Sequence, residues 1–313
     1  MARAEPERSE DALSDILRLV RLSGCVYFQS GFTAPWGMSM DAGLYAQFHV
    51  VVRGACWLTV GDDRRRLEAG DVVVLARGAA HTLSDDPESP SILGLQVLDA
   101  VLAGRPAFAV TEGQAETLLL CGHFEFDRAV AHPLIGELPD VIHVRGMESR
   151  QPGWLDWVAP VLIGETGSGR LGAESIVDRL AEVLLIQVLR AHLLEHQPER
   201  GFLAAIMDRR VNSALKVIHA DAGDDLKLIE IARAAGMSRS GLAGRFKDIM
   251  GEAPMAYLAR WRMLQARDLL STTRLSLGDV AEQVGYGSEA AFSPAFRRAF
   301  AETPGAFRRA QVP

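Results

Sequence analysis

An internal repeat in the last third of the 313-residue chain limits the folds that are open to it. Ile231-Ala232 followed by Gly236-Met237-Ser238 recurs as Val280-Ala281 followed by Gly285-Tyr286-Gly287-Ser288. Further along, the repeat continues in the pairs Phe246 and Phe296, Pro254 and Pro304, and Tyr257 and Phe307. Two such units, about fifty residues apart, indicate one small supersecondary structure that is built twice.

Each repeat has the pattern of a helix, a tight turn and a second helix. The first helix has a small Ala where it packs and ends at Gly236 or Gly285. Glycine can take the left-handed backbone conformation that a tight turn needs. Ser238 and Ser288 then stand at the N-cap positions of the second helices. The spacing predicts two helix-turn-helix units, in which the second helix enters the major groove of DNA.

The second helix of the first unit has a predicted inner and outer face. Leu242 and Phe246 are four residues apart and face inward. The outer face then carries Ser240, Ala243, Gly244 and Lys247, flanked by Arg239 and Arg245. Direct reading of base edges is expected mainly from Arg239 and Ser240, because the small outer residues offer few hydrogen-bonding groups.

The charge of the chain is divided in the way that DNA binding requires. Residues 209–313 have 16 Lys and Arg against 11 Asp and Glu, a net charge of +5. Residues 1–208 have 17 basic against 29 acidic residues, a net charge of −12. A basic C-terminal part attracts a phosphate backbone, and an acidic N-terminal part is repelled from it. Solvated surfaces also carry charge, so this division supports the motif and does not replace it.

The repeat lies within a longer set of motifs that carries a family resemblance. The motifs are Ile231-Ala232-x3-Gly236-Met237-Ser238-Arg239, Arg245-Phe246, Gly251-x2-Pro254-x2-Tyr257-Leu258, Trp261-Arg262-Met263, Ala266-x2-Leu269-Leu270, Val280-Ala281-x3-Gly285-Tyr286, Phe292, Phe296 and Thr303-Pro304. They resemble the arabinose-regulator (AraC/XylS) family of transcription factors. The resemblance implies two helix-turn-helix units in successive major grooves on one face of the DNA. It places base-facing positions at Ser240, Ala243 and Gly244, and near Ala290, Ser293 and Pro294. Phosphate contacts are expected from Arg239, Arg245, Lys247, Arg297 and Arg298.

Three features depart from the family pattern. Gly241 and Gly244 lie inside the first recognition helix, where each costs up to about 1 kcal/mol relative to Ala. Pro294 stands in the second turn of the other recognition helix, where a proline removes a backbone hydrogen bond and costs about 3 kcal/mol. That helix is therefore expected to start later than Ser288 or to bend. Ala301 replaces the glycine that ends the first recognition helix.

The N-terminal part has a different periodicity. An amphipathic helix is predicted over Asp11–Leu22, and a long helix over Leu171–His196. Short strands are predicted over Val26–Phe32, Leu44–Arg53, Cys56–Val60, Val72–Ala76, Ile92–Leu98 and Leu118–Phe126. Evenly spaced short strands are typical of a barrel or sandwich. The apolar stripe of the long helix packs either on this barrel or on a second copy of the chain.

The barrel region resembles a cupin with an incomplete metal site. The second cupin motif is matched by Gly70, Ala76, Gly78 and His81. The first is matched by Gly43 and His49, but Val51 stands at its second His position and Ala55-Cys56 where a Glu is usual. A catalytic metal needs three protein ligands and an open position. No metal or other cofactor is therefore expected, and His49, His81 and Cys56 are the remaining candidate ligands.

The predicted strand around His49 points to a ligand pocket instead. Tyr45, Gln47 and His49 share one face of it. Trp36, Trp57 and His81 complete the candidate effector-binding set. Cys25 and Cys121 match the positions of cysteines in oxidant-sensing relatives and are the redox candidates, with buried reduced cysteine as the alternative.

The fold class expected from these patterns is α+β and multidomain. Residues 1–200 are predicted to form a cupin-like barrel with a helical extension, and residues 201–313 an all-α double helix-turn-helix domain. The predicted function is that of a sequence-specific DNA-binding transcription regulator which senses a small molecule or an oxidant, and not that of an enzyme. A metal-dependent cupin enzyme with an appended helical domain is the alternative, and an adaptor that does not bind DNA is a third.

The expected partners follow from that function. They are double-stranded promoter DNA, the effector, a second copy of the chain in a homodimer, and RNA polymerase as a further candidate. A first segment of mixed charge and three widely spaced cysteines favour the cytoplasm and give no sign of membrane insertion.

Overall fold

The computed structural model describes residues 11–108, 115–126, 133–146 and 154–310. By their contacts the residues form two units. Of the described residues, the sheet unit comprises 21–108, 115–126, 138–146 and 154–197. The helical unit comprises 11–20, 133–137 and 198–310. The grouping does not follow chain order, because the first helix belongs with the C-terminal residues. The predicted class, a strand-rich N-terminal part and a helical C-terminal part, is confirmed.

The described residues of the sheet unit form two five-stranded sheets. Its strands are β1 (Ser23–Phe32), β2 (Gly37–Met40), β3 (Ala46–Arg53), β4 (Ala55–Val60), β5 (Asp63–Glu68), β6 (Val72–Leu75), β7 (His81–Ser84), β8 (Ile92–Leu93), β9 (Thr117–Glu125) and β10 (Ile142–Val144). The first sheet has the order β1-β9-β3-β6-β10 and the second the order β5-β4-β7-β2-β8. Neighbouring strands are antiparallel except for the parallel pair β2 and β8. One hydrophobic cluster draws buried side chains from both sheets, among them Phe28, Met38, Leu58 and Val73.

Where the structure describes it, the sheet unit also contains three helices. They are α2 (Gly94–Leu102), α4 (Trp154–Glu165) and α5 (Ala173–His196). The apolar stripe of α5 packs against β1 and β10, which is the first of the two predicted alternatives for it. Gly24 permits this contact, since a Cβ there would lie 2.5 Å from the Ala181 Cβ. Ile176, at the edge of the stripe, is exposed.

One predicted strand is wrong. Only Ile92 and Leu93 of the predicted strand Ile92–Leu98 are extended, and α2 begins at Gly94. Val97 and Ala100 are buried on one side of this helix, so its apolar run serves helical packing. The periodicity of a short apolar run does not distinguish a strand from a buried helix segment.

The helical unit is built from ten helices within the described residues. They are α1 (Ala12–Leu19), α3 (Pro133–Glu137), α6 (Gly201–Met207), α7 (Arg209–Ala220), α8 (Leu228–Ala234), α9 (Arg239–Met250), α10 (Pro254–Thr272), α11 (Leu277–Gln283), α12 (Glu289–Phe300) and α13 (Pro304–Ala310). The long helix α10 contacts α7 and α9, which precede it in the chain, and α11, α12 and α13, which follow it. It therefore joins both repeats into one unit. No helix of the described residues is both long and apolar enough to span a membrane.

Candidate nucleic-acid interface and ligand cavity

The first helix-turn-helix is formed by α8 and α9. Gly236 turns the chain between them with a φ of +62°. The Ser238 hydroxyl oxygen then accepts a hydrogen bond from the Gly241 backbone N–H at 3.1 Å, which caps α9. Leu242 and Phe246 are fully buried, as the predicted inner face requires. The predicted turn, cap and inner face are confirmed.

The outer face of α9 is open to solvent. Arg239, Ser240, Gly244, Arg245 and Lys247 are exposed, and Ala243 is half-buried. The small outer residues leave room for close approach of a ligand to the helix backbone.

Arg245 has a protein partner that the sequence pattern does not predict. Its guanidinium forms an ion pair with Asp208, in which Nε donates to the carboxylate at 3.0 Å. The same carboxylate caps α7 by accepting from the Val211 backbone N–H at 2.9 Å. Its hydrogen bond with Arg245 lowers the pKa of Asp208. The ion pair therefore ties the recognition helix α9 to the start of α7.

The second helix-turn-helix is formed by α11 and α12. Gly285 turns the chain with a φ of +76°, and the Ser288 hydroxyl accepts from the Ala291 backbone N–H at 3.2 Å. The helix begins directly after Ser288 and runs through Pro294 to Phe300, so the predicted late start is wrong. Phe292 and Phe296 are fully buried, and this packing holds the helix across the missing proline N–H.

The outer face of α12 differs in chemistry from that of α9. Ala290, Arg297 and Arg298 are exposed and Ser293 is half-buried. Glu289, in the first turn, is also exposed, and its negative charge interacts favourably with the positive end of the helix dipole. This face thus begins with an acidic residue, continues with small ones and ends with two arginines.

A buried histidine, missed by the sequence analysis, connects three helices of the helical unit. The His219 Nδ1 atom on α7 donates to the Asp15 carboxylate of α1 at 3.2 Å, and its Nε2 accepts from the Tyr257 hydroxyl of α10 at 2.7 Å. The ring stacks on Trp261 at 3.9 Å between centroids. Burial lowers the pKa of His219, and the neighbouring Asp15 opposes this shift. No sequence spacing marks Asp15, His219 and Tyr257 as partners, because they lie far apart along the chain.

The sheet unit contains a cavity of about 250 Å³. Its lining residues are Tyr27 and Phe28 of β1, Met38, Ser39 and Met40 of β2, Asp41 just after β2, Gln47 and His49 of β3, Leu93 of β8, Gly94, Leu95 and Leu98 of α2, and Cys121 of β9. The predicted effector residues Gln47 and His49 line this cavity. Leu95 is 73% exposed at its mouth.

Other predicted effector residues lie outside the cavity lining. Trp36 is buried in the core and stacks on Phe32, so its ring serves packing. Tyr45 is half-exposed with its ring near His123. Trp57 is half-buried on β4, and His81 reaches the site through His49. The lining residues of β2 and α2 were missed, because one was not predicted as a strand and the other was not predicted as a helix.

A chain of hydrogen bonds runs from the cavity wall into the protein. The His81 Nδ1–H donates to the Ala79 carbonyl oxygen at 2.8 Å, so in the neutral imidazole the His81 Nε2 is an acceptor. The His49 Nε2–H donates to it at 2.8 Å, which leaves the His49 Nδ1 to accept from the Cys121 thiol at 3.1 Å. This pattern of donors and acceptors requires both imidazoles and the thiol to be neutral.

The electrostatics of these groups agree with the hydrogen bonds. Burial lowers the pKa of His81 to about 4 and, together with His81, lowers that of His49 far below its usual value. Burial raises the pKa of Cys121 well above that of a free thiol. The thiol and both imidazoles thus stay uncharged at neutral pH.

The residues do not form a metal site. His49 and His81 use their facing nitrogens in a mutual hydrogen bond, and burial raises the pKa of Cys56 to about 12, which opposes thiolate ligation. Within the described ranges, no three His, Cys, Asp or Glu side chains are grouped to hold a metal ion. The donor set therefore does not fit the metal that a cupin fold implies.

The two redox candidates lie on adjacent strands but not opposite each other. Cys25 faces His123 in the register of β1 and β9, whereas Cys121 faces Phe28. Burial, with smaller contributions from Asp178 and Glu125, raises the pKa of the half-buried Cys25. Both thiols are therefore less reactive than a free cysteine.

The chain is similar to known proteins along almost its full length. Residues 11–194 match a cupin family, and residues 231–310 match a helix-turn-helix domain family. A protein of Streptomyces antibioticus described as an AraC-like transcription regulator is 36% identical over 97% of this chain and 100% of the relative. The HTH-type transcriptional regulator AlkR of Acinetobacter baylyi is 30% identical over 96% of this chain and 99% of its own. A solved AraC-type regulator structure from Chromobacterium violaceum is 29% identical, covers 33% of this chain and 92% of its own, and has a TM-score of 0.32.

Proposed function

Because the chain belongs to the AraC family of transcription regulators, with a cupin domain followed by a helix-turn-helix domain, we propose that it binds promoter DNA through α9 and α12 and that its cupin domain senses a small molecule. The observation that carries the first part is the pair of serine-capped helices with exposed outer faces in one unit. The full-length relatives are transcription regulators, so the chain is assigned to that class and not to the cupin enzymes.

The outer faces give each recognition helix a role. Exposed Arg239, Lys247, Arg297 and Arg298 contact phosphates, and Arg239 also reaches a base edge. Bases are approached by Ser240, Ala243 and Gly244 on α9 and by Ala290 and Ser293 on α12. Arg245 acts mainly by positioning α9, because Asp208 holds its guanidinium.

Affinity for a selected DNA site tests this assignment. The site is obtained by selection from random DNA with the intact chain, and its dissociation constant is measured between 50 and 200 mM salt. We expect a steep loss of affinity with salt, and a slope reduced by about one in Arg239→Ala. Arg190→Ala, which removes an exposed arginine of α5, is the matched control and leaves the slope unchanged. Salt-independent binding, or equal effects of both variants, contradicts the assignment and favours an adaptor.

The sensing part rests on the cavity and its neutral hydrogen-bond chain. A small molecule is favoured over an oxidant, because the pKa values of Cys25, Cys56 and Cys121 are all raised and the thiolate is the reactive form. Binding of an effector would change operator affinity through a coupling free energy between the two sites. A Cys25→Ser, Cys121→Ser double variant tests the oxidant alternative: loss of an oxidant response of the wild type would favour that alternative.

Three further assignments complete the proposal. The effector domain spans residues 1–200 and the DNA-binding domain residues 201–313, with α1 as an N-terminal segment that packs on α7 and α10. The working form is a cytoplasmic homodimer, with RNA polymerase as the partner at the promoter. Sedimentation of the intact chain tests the dimer, and a pull-down of polymerase on promoter DNA tests the last partner.

A further inference from the structure

We propose that the cavity of the sheet unit takes an uncharged, mainly apolar molecule of about ten non-hydrogen atoms, with its polar end at Gln47. The size follows from the volume, since an apolar cavity of roughly 150 Å³ holds a benzene ring. This assignment rests on the proposed sensing function and names the chemistry of its effector.

The cavity walls are mostly apolar. Phe28, Met38, Met40 and Leu98 contribute side chains without a strong hydrogen-bonding group. Leu93 and Leu95 add apolar surface at the mouth, where they are 46% and 73% exposed, beside the exposed Asp41. Exposed leucines beside an opening favour an apolar entrant over a sugar, which would need many polar partners. The two methionines can adapt to the shape of the molecule.

The charges of the lining exclude an anion. Within the described lining, neither Lys nor Arg is present, and Asp41 at the exposed rim is the charged side chain. A carboxylate in the cavity would lose its hydration without gaining a counter-ion, which is costly. An ammonium group would reach Asp41 at the solvent-exposed rim, where the attraction is screened.

The hydrogen bonds leave one end of the cavity available. His49 uses both ring nitrogens and Cys121 its thiol hydrogen in the neutral chain. Ser39 donates to the Ile92 carbonyl oxygen at 3.4 Å. The half-buried amide of Gln47 makes no hydrogen bond to any residue in the described ranges. An amide can donate and accept, so it pairs with a hydroxyl, carbonyl or ether oxygen of the molecule.

Three probes with one skeleton test the charge requirement. They are 4-phenyl-1-butanol, 4-phenylbutylamine and 4-phenylbutyrate, and their binding to the intact chain is measured by titration calorimetry. We expect the alcohol to bind once per chain and at least tenfold more tightly than either charged probe. Equal or tighter binding of a charged probe, or no binding of the alcohol at its solubility limit, overturns the proposal.

Variants locate the binding. Gln47→Leu should weaken the binding of the alcohol about tenfold and leave the affinity for butylbenzene, which has no polar end, unchanged. Gln29→Leu removes a half-buried glutamine of β1 outside the cavity lining and is the matched control with no effect. Leu98→Trp should fill the cavity and abolish binding of both compounds, with the thermal melt confirming that each variant folds. Equal effects of the two glutamine variants, or binding to the filled variant, would place the site elsewhere.

Operator affinity separates this proposal from the sensing function. Calorimetry reports the ligand chemistry without DNA, and a DNA titration with and without the alcohol reports sensing. Binding of the alcohol without a change in operator affinity would contradict the sensing function for this class of molecule. It would still support the proposed ligand chemistry of the cavity.

Discussion

The two helix-turn-helix units have the same arrangement of helices and caps but build it from different residues. Both recognition helices start at a serine cap and bury one phenylalanine at the matching position, Phe246 or Phe296. The first unit carries glycines within α9 and is tied to α7 by an ion pair. The second carries a proline within α12 and has no glycine at its end. Caps and buried aromatic residues therefore define the unit, and interior residues vary around them.

The outer faces differ more than the cores. Arg239 at the start of α9 can hydrogen-bond guanine, whereas α12 starts with Glu289 and continues with Ala290 and Ser293. Small apolar groups contact thymine methyls and otherwise leave recognition to DNA shape. The comparison predicts a half-site with a guanine for the first unit and a half-site read by methyl contacts and shape for the second.

The largest expected effect tests whether the two cores are equivalent. Phe246→Ala and Phe296→Ala each remove a fully buried ring and should lower the free energy of unfolding by about 3–5 kcal/mol. Chemical denaturation of the helical-unit transition measures both. A difference of more than about 2 kcal/mol between the variants would show that one unit carries the stability of the domain.

A smaller effect is expected from the proline. Pro294→Ala restores a backbone hydrogen bond, and the proline costs about 3 kcal/mol in a helix interior. Alanine also raises the conformational entropy of the unfolded chain, which offsets part of this gain. The free energy of unfolding should therefore rise by about 2 kcal/mol. Ala295→Gly, at the next position, is a contrasting variant that lowers stability. Unchanged or reduced stability of Pro294→Ala would mean that α12 is bent to suit the ring.

The helix ends give a mirrored pair of predictions. Ala301 ends α12 with a φ of +61°, and Gly251 ends α9 with a φ of +79°. Ala301→Gly should therefore raise stability by about 1 kcal/mol, and Gly251→Ala should lower it by about the same amount. Changes of the same sign in thermal or chemical denaturation would contradict the left-handed assignment of the two ends.

The smallest effect concerns the ion pair between Asp208 and Arg245. Asp208→Asn keeps the cap of α7 and removes the carboxylate charge, so only the pairing with Arg245 is lost. The pKa of Asp208 is lowered in the folded state. The stabilisation by its ionised carboxylate is therefore complete above the usual Asp pKa of about 4 and is lost as the pH falls through the folded-state pKa. Stability differences between wild type and variant should vanish at low pH. Asp225→Asn, which removes a carboxylate that pairs with exposed Lys227, is the control.

Local signals predicted the helical unit well. Turn glycines, serine caps and residues spaced by four are contained within each short helix-turn-helix, so the sequence predicted α8, α9, α11 and both caps. The start of α12 does not follow from local signals, because the packing of Phe292 and Phe296, which offsets the cost of the proline, is a tertiary contact.

The sheet unit and its cavity could be predicted only in part. Strand β5 (Asp63–Glu68) has three consecutive arginines and lies at the edge of its sheet, where charged residues are tolerated but leave no apolar alternation. His49 and Gln47 were found from the alternation along β3. The hydrogen bonds of His49 join it to Cys121 and His81, which lie 72 and 32 residues away on other strands, and no local spacing records these contacts.

A footprint on the selected DNA site tests most directly whether both repeats hold the duplex. Hydroxyl-radical cleavage should show two protected segments on one face, about ten base pairs apart. Arg239→Ala should expose one segment and Arg297→Ala the other, since each exposed arginine lies on a different recognition helix. A single protected segment, sensitive to one variant and indifferent to the other, would contradict the account.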